Sequence, residues 1–234
     1  MKLPDKVFGI NTQEAYKKYL EDSGKTKPRK TKDPTPSKAV DAGDYVYMPQ
    51  HKLYVAKRRS HLGENWSQAH KALHQEDARM LTLIEFSDFL KLLKAGNDEF
   101  KAIYGDITEV RNPYRAEWLD ADFKTAGNKL KINYNHRTIN GKLKPKNSEL
   151  LEDCLMENKT PGISLDYWLS NPTSQGLPRA DIGDGSLYYL APMRDDESVA
   201  GFGASSGGAD LDCGGDPAGS VSWLGVRAAK IKVK

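Results

Sequence analysis

Residues 199–222 read Val-Ala-Gly-Phe-Gly-Ala-Ser-Ser-Gly-Gly-Ala-Asp-Leu-Asp-Cys-Gly-Gly-Asp-Pro-Ala-Gly-Ser-Val-Ser, and they constrain the fold more than any other stretch. A period of two runs through them. Gly203, Ser205 and Gly207 alternate with Ala204 and Ser206. Asp210, Asp212, Gly214 and Asp216 alternate with Leu211, Cys213 and Gly215. Gly219, Val221 and Trp223 alternate with Ser220, Ser222 and Leu224. In extended chain one set points inward and the other outward. Leu211, Cys213 and Leu224 suit burial, whereas Gly, Asp and Ser suit solvent or a ligand. A flexible glycine-rich loop is the alternative, since seven of the 24 residues are glycine.

The same stretch lacks Lys, Glu, Gln and Met, although Lys and Glu are abundant elsewhere. Every residue in it can be written by a codon ending in a pyrimidine, which those four and Trp cannot. That bias belongs to codons, and no folding rule produces it.

The rest of the chain carries ordinary folding signals. Thr12 caps an expected short helix over 12–22, and a basic, proline-rich linker follows over 24–39. Tyr45-Val-Tyr-Met and Lys52-Leu-Tyr-Val-Ala-Lys read as strands around Pro49-Gln-His51. Asn65 caps a helix with Trp66, Ala69 and Leu73 on one face. Thr82 and Glu85 form a capping box before Phe86, Phe89, Leu90 and Leu93, which recur at core spacing. Gly96-Asn97 ends that helix, and residues 100–110 add a helical turn or two. Lys129 to Asn135 alternates as a strand, Asn140-Gly141 is a turn, and Ser148 to Met156 suggests a short helix. Leu187 to Ala191 and Gly225 to Val233 complete the strands. The order predicts an α+β domain over residues 40–234.

Composition excludes several classes. The charge is +3, with 35 basic and 32 acidic residues. Residues 25–38 hold six basic residues and one acid, without aromatics for base stacking, so a solvated linker is favoured over a nucleic-acid contact. Nucleic acid is expected at most as a weak partner of that linker. No apolar run is long enough to span a membrane and no secretory leader is visible, so a cytoplasmic location is the default expectation. Cys154 and Cys213 make neither a disulfide framework nor a zinc site by themselves.

Three chemical motifs compete. Gly203-Ala-Ser205-Ser-Gly207 matches a nucleophile elbow, but no helix signal, downstream Asp or downstream His accompanies it. Asp210, Asp212 and Asp216 could offer oxygen ligands to calcium, but without EF-hand spacing or tandem repeats. His70 and His74 sit one helical turn apart, as paired zinc ligands do, but Lys71 stands where the accompanying Glu belongs and no third ligand is evident. No catalytic residue, metal or cofactor is therefore expected.

The segment Phe202 to Arg227 resembles the variable region of diversity-generating retroelement target proteins. Its frame residues Phe202, Ala204, Ser206, Ala209, Leu211, Cys213, Pro217 and Leu224-Gly-Val-Arg227 match the family pattern. Trp66-Ser-Gln-Ala-His70, Arg79 to Phe86, Arg115 to Phe123 and Thr173 to Pro178 resemble the family scaffold, so the likeness covers residues 45–230. It implies a C-type-lectin-like fold, shared with formylglycine-generating enzymes, with two helices, small antiparallel sheets and much irregular chain. It also implies a variable region at about 187–227 in which adenine-directed mutagenesis rewrites exposed positions. Here these are Leu190, Asp195, Asp196, Gly201, Gly203, Ser205, Gly207, Asp210, Asp212, Gly214, Asp216, Gly219, Val221 and Trp223. This sequence departs from the pattern at Trp223, which mutation of an asparagine codon at adenines cannot give. It departs again at Gly208 and Gly215, where the template often codes Arg.

The function implied is non-enzymatic binding of a protein or cell-surface ligand, without membrane insertion. The alternatives are a calcium-dependent carbohydrate lectin, although no Glu-Pro-Asn or Gln-Pro-Asp triplet occurs, and a formylglycine-generating-type enzyme. The latter would need reactive cysteines placed together.

Overall fold

The computed structural model describes residues 6–7, 10–11, 40–109, 114–194 and 197–231. The chain divides into two units, residues 1–37 and 38–234. In the first, β1 (Lys6–Val7) and β2 (Ile10–Asn11) pair antiparallel. The helix expected over 12–22 and the basic linker over 24–39 lie outside the described residues.

The second unit opens with β3 (Val40–Ala42), β4 (Tyr45–Met48) and β5 (Leu53–Ala56), an antiparallel meander. Three helices follow, and each begins where the local chemistry dictates. In α1 (Trp66–Gln75) the Asn65 side chain accepts the Gln68 N–H at 2.9 Å, and the Gln68 side chain accepts the Asn65 N–H at 3.1 Å. The reciprocal bond satisfies donors that the first helical turn leaves unpaired. In α2 (Leu83–Lys94) Thr82 and Glu85 repeat the arrangement, and Arg79 clamps Glu85 through both oxygens at 2.5 and 2.7 Å. Phe86, Phe89, Leu90 and Leu93 of this helix are fully buried. Asn97 caps α3 (Asp98–Thr108) by accepting the Phe100 N–H.

The long strand β6 (Arg115–Ala126) then starts the main sheet, followed by β7 (Lys129–Tyr134). The hairpin β8 (Arg137–Ile139) and β9 (Lys142–Lys144) turns at Asn140 and Gly141, whose φ values of 52° and 73° are those a two-residue hairpin turn requires. Next come β10 (Asn147–Leu150), β11 (Lys159–Ile163), α4 (Leu165–Ser170) and β12 (Leu187–Leu190). The chain closes with β13 (Ser198–Ser205), β14 (Gly208–Gly215), β15 (Leu224–Val226) and β16 (Ala229–Lys230).

The main sheet runs β10-β7-β6-β13-β14-β12-β11, and β15 pairs parallel with the first half of β6. Strand β16 leaves for the other sheet and pairs with β5, so the end of the domain is sewn to its beginning. The architecture is mixed α and β. Among the described residues no helix is long and apolar enough to cross a membrane.

Three expectations need correction. The described residues hold four helices and an eight-stranded sheet with two parallel pairings, in place of two helices and small antiparallel sheets. Residues 148–156 form no helix. Asn147–Leu150 instead adds a strand to the free edge of β7, and Asp153 takes a left-handed φ of 54° that a helix cannot continue through. The terminal strand is two short strands in different sheets, separated at Arg227, where the guanidinium must turn inward.

One face of the main sheet packs with α2 around Phe86, Phe89, Phe123, Trp168, Phe202 and Leu211. On the other face α1 covers Ala116, Trp118, Leu224 and Val226 with Trp66, Ala69 and Leu73, leaving the neighbouring strands β13, β14 and β12 partly open.

Candidate ligand-binding face

The register of β13 and β14 assigns each residue of the alternating stretch to a face. Gly201 pairs with Asp212 and Gly203 with Asp210, while Phe202 pairs with Leu211 and Ala204 with Ala209. Cross-strand partners share a face, so the glycines and aspartates stand on one side and the apolar residues on the other. Phe202, Ala204, Leu211 and Cys213 are at most 1% exposed. The Phe202 ring packs against Phe86 at 5.1 Å between centroids and stacks on Trp168 at 6.2 Å.

The outer side is open to solvent in the middle and walled by aromatics. Asp210 and Asp212 are partly exposed, as is Ser205, and Gly207 and Asp216 are exposed. From β12, Tyr188 and Leu190 align beside Asp210 and Asp212 and are half-buried. Gly201 and Gly203 are buried because Trp118, Tyr114 and Asp210 lie over them. Past the hairpin, Val221 and Trp223 are 37% and 38% exposed, and Met193 is 39% exposed near Gly214. Trp223 meets Tyr114 edge-to-face with centroids 4.2 Å apart. Gly214 and Gly219 are half-buried. Asp195 and Asp196 lie outside the described residues.

The two carboxylates define the electrostatics. Tyr114 Oη donates to Asp210 at 3.2 Å, and Asp212 accepts the Gly214 N–H at 2.8 Å. Partial burial, reinforced by the neighbouring Asp212 charge, pushes Asp210 up to about 6, against the pull of Tyr114. Burial raises Asp212 as well, and burial together with both aspartates raises the Tyr114 hydroxyl. The face therefore holds negative charge under strain, which a cationic group would relieve.

The space above each glycine separates positions that can change from positions that cannot. A Cβ on Gly201 or Gly214 would meet its nearest neighbours at 3.4–3.5 Å, ordinary contact. On Gly207 it would lie 3.3 Å from the Tyr188 ring, and on Gly219 3.1 Å from the Asp216 carbonyl, so small adjustments suffice. On Gly203 it would strike the Tyr114 hydroxyl at 2.4 Å and Asp210 Oδ1 at 2.8 Å, so a side chain there requires both to move. Gly208, by contrast, has φ 138°, and a Cβ on Gly215 would lie 2.9 Å from the Val199 carbonyl. These constraints give a structural reason for glycine at both positions.

The closing Leu224-Gly-Val-Arg227 motif is framework. Arg227 is 2% exposed and grips Glu117 through Nε and Nη2 at 2.9 and 3.0 Å, while Nη1 donates to the Ala56 and Lys57 carbonyls. A Cβ on Gly225 would lie 2.8 Å from the Ser60 carbonyl. Arg59 donates to the Ala116 and Trp223 carbonyls, both at 2.6 Å, and so fixes the strand edge that carries Trp223. Sequence reasoning missed Tyr114, Tyr188, Met193 and Arg59, because only the tertiary fold brings them here.

Ser205 lies at a strand-to-strand hairpin rather than a strand-to-helix elbow, and its Oγ accepts the Gly207 N–H at 3.1 Å. Asp212 and Asp216 spend carboxylate oxygens on the local Gly214 and Ala218 N–H groups, both at 2.8 Å. Both cysteines are free, and burial pushes each thiol up, away from a reactive thiolate. His74 bonds Thr138 Oγ1 at 2.8 Å, whereas His70 is fully buried beside Asp120 and His136. Comparison of the chain with protein-family models, with curated proteins and with solved structures finds no match.

Proposed function

We propose that the chain is a binding protein of the diversity-generating retroelement type, without catalytic function, that displays variable residues on a C-type-lectin-like scaffold. The observation that carries this reading is the division of β13 and β14 into a sealed apolar face and an outer face of Gly, Ser and Asp. A surface that changes freely must not also supply the core, and here the two duties fall to alternate residues. The codon bias of residues 199–222 supports the same reading.

The expected partner is a protein or cell-surface ligand. In this copy Trp223 against Tyr114 supplies an aromatic anchor, and Asp210 with Asp212 supplies an acidic floor, a combination suited to a basic side chain. Two observations test the proposal. The DNA beside the gene should contain a near-copy of the 3′ coding end that differs at adenines, next to a reverse transcriptase gene. A displayed library randomised at positions 201, 203, 205, 207, 210, 212 and 214 should yield folded binders to unrelated proteins. Absence of the repeat, together with a library that is mostly unfolded, would overturn the proposal.

A further inference from the structure

Behind α1, away from the variable strands, three side chains from distant parts of the chain converge. His70 comes from α1, Asp120 from β6 and His136 from the turn between β7 and β8. His70 Nε2 lies 3.6 Å from Asp120 Oδ1, and His136 Nδ1 lies 2.5 Å from the same oxygen. One ligand atom from each lies within 4.8 Å of the other two, and this is the one such group among the described residues. All three residues are buried, at 0%, 0% and 4% exposure.

The feature that asks for a ligand is His70. Neither of its ring nitrogens makes a hydrogen bond, although the residue is fully buried. Leaving such a group unsatisfied carries its full desolvation penalty. Asp122 adds a second buried carboxylate, whose Oδ1 lacks a hydrogen bond and lies 3.4 Å from His136 Nε2. Asp120 and Asp122 together balance the charge of one divalent cation, which an imidazole binds in its neutral, deprotonated form.

We propose that His70, Asp120 and His136 bind a divalent transition-metal ion, with Zn2+ the best fit. Imidazole and carboxylate ligands at about 2.0–2.2 Å suit that ion and stand about 3.3 Å from one another, so His70 would move in from 3.6 Å and His136 back from 2.5 Å to admit it. The Asp120 Oδ2 atom already accepts the His136 backbone N–H at 3.0 Å, a bond that would orient the carboxylate for coordination. Burial of every ligand makes the role structural. A cleft of about 500 Å³ has His136 in its wall.

The ion would tie α1 to the sheet, and the consequence reaches the variable region. The Trp66 ring packs edge-on against His70 and His136 at 4.4 and 4.9 Å, while its backbone N–H bonds the Pro217 carbonyl at 3.3 Å. Metal binding would thus anchor the loop that follows β14, whatever the ligand of the outer face.

The test uses the untagged full chain, stripped with chelator and titrated with Zn2+ and with Co2+. One equivalent should bind with micromolar or tighter affinity and raise the melting temperature. Co2+ should give the strong visible bands of four- or five-coordinate geometry, removed by Zn2+. His70→Ala and His136→Ala should each weaken binding at least tenfold, while His51→Ala should leave it unchanged. Because the first two variants could fail to fold, the Co2+ spectrum of the unaltered chain decides independently. No retained ion, a weak octahedral spectrum, or binding that survives in folded His70→Ala and His136→Ala would overturn the site.

Discussion

On the inner face of β13 and β14, Phe202, Ala204, Leu211 and Cys213 pack against α2 and α4 and are almost wholly sealed. On the outer face of the same strands, Asp210 and Asp212 stand part-exposed between Tyr114, Tyr188 and Leu190. Neighbouring residues in one strand thus carry opposite burdens. The difference teaches that a strand separates stability from recognition within a single residue step, because its side chains alternate. A helix would spread the same separation over its 3.6-residue turn.

The largest effects are expected inside. Phe202→Ala removes a ring held between Phe86 and Trp168, and should cost about 3–5 kcal/mol in denaturant unfolding. A smaller loss would mean that the inner face is not the core of this unit. Gly225→Ala comes next. Its new Cβ meets the Ser60 carbonyl at 2.8 Å and the Leu62 side chain at 2.6 Å, so about 1–3 kcal/mol should be lost, although only one methyl group is added.

The third prediction concerns charge on the outer face. Asp210 titrates near 6 when folded against 3.8 as its ordinary value, chiefly through burial. The folded state therefore holds a proton that the unfolded state releases, and stability falls as pH rises from about 4 to about 6. Discounted for its partial exposure, the effect is about 1 kcal/mol. Asp210→Asn should therefore stabilise by that much at pH 7.5 and by nothing near pH 3. A gain that persists at pH 3 would point to packing instead. The smallest effect is Gly214→Ser, which should stay within about 0.5 kcal/mol of the parent, since the new atom finds ordinary contacts. A larger loss would blur the distinction between the faces.

How far the sequence could be read follows the same physics. Asn65 and Thr82 announced their helices because capping is settled within four residues. Asn140-Gly141 announced its hairpin for the same reason. The period of two in residues 201–214 was legible as alternation, and the register gives each residue its face. Strand β6 was not legible. It buries Glu117, Asp120 and Asp122, which make sense only beside Arg227, His70 and His136, residues far away in sequence. Strand β10 is not legible locally, because its partner, the edge of β7, is a tertiary feature. The His70 cluster is half legible: His70 stands one helical turn from His74 in the sequence, but Asp120 and His136 reach it only through folding.

The most direct test is a scan of every substitution at positions 199–224, read as resistance of the displayed protein to protease. Tolerance should alternate, high at 205, 207, 210, 212 and 214 and low at 202, 204, 209, 211 and 213. A profile without that alternation, or with its phase reversed, would contradict the division of labour between the two faces.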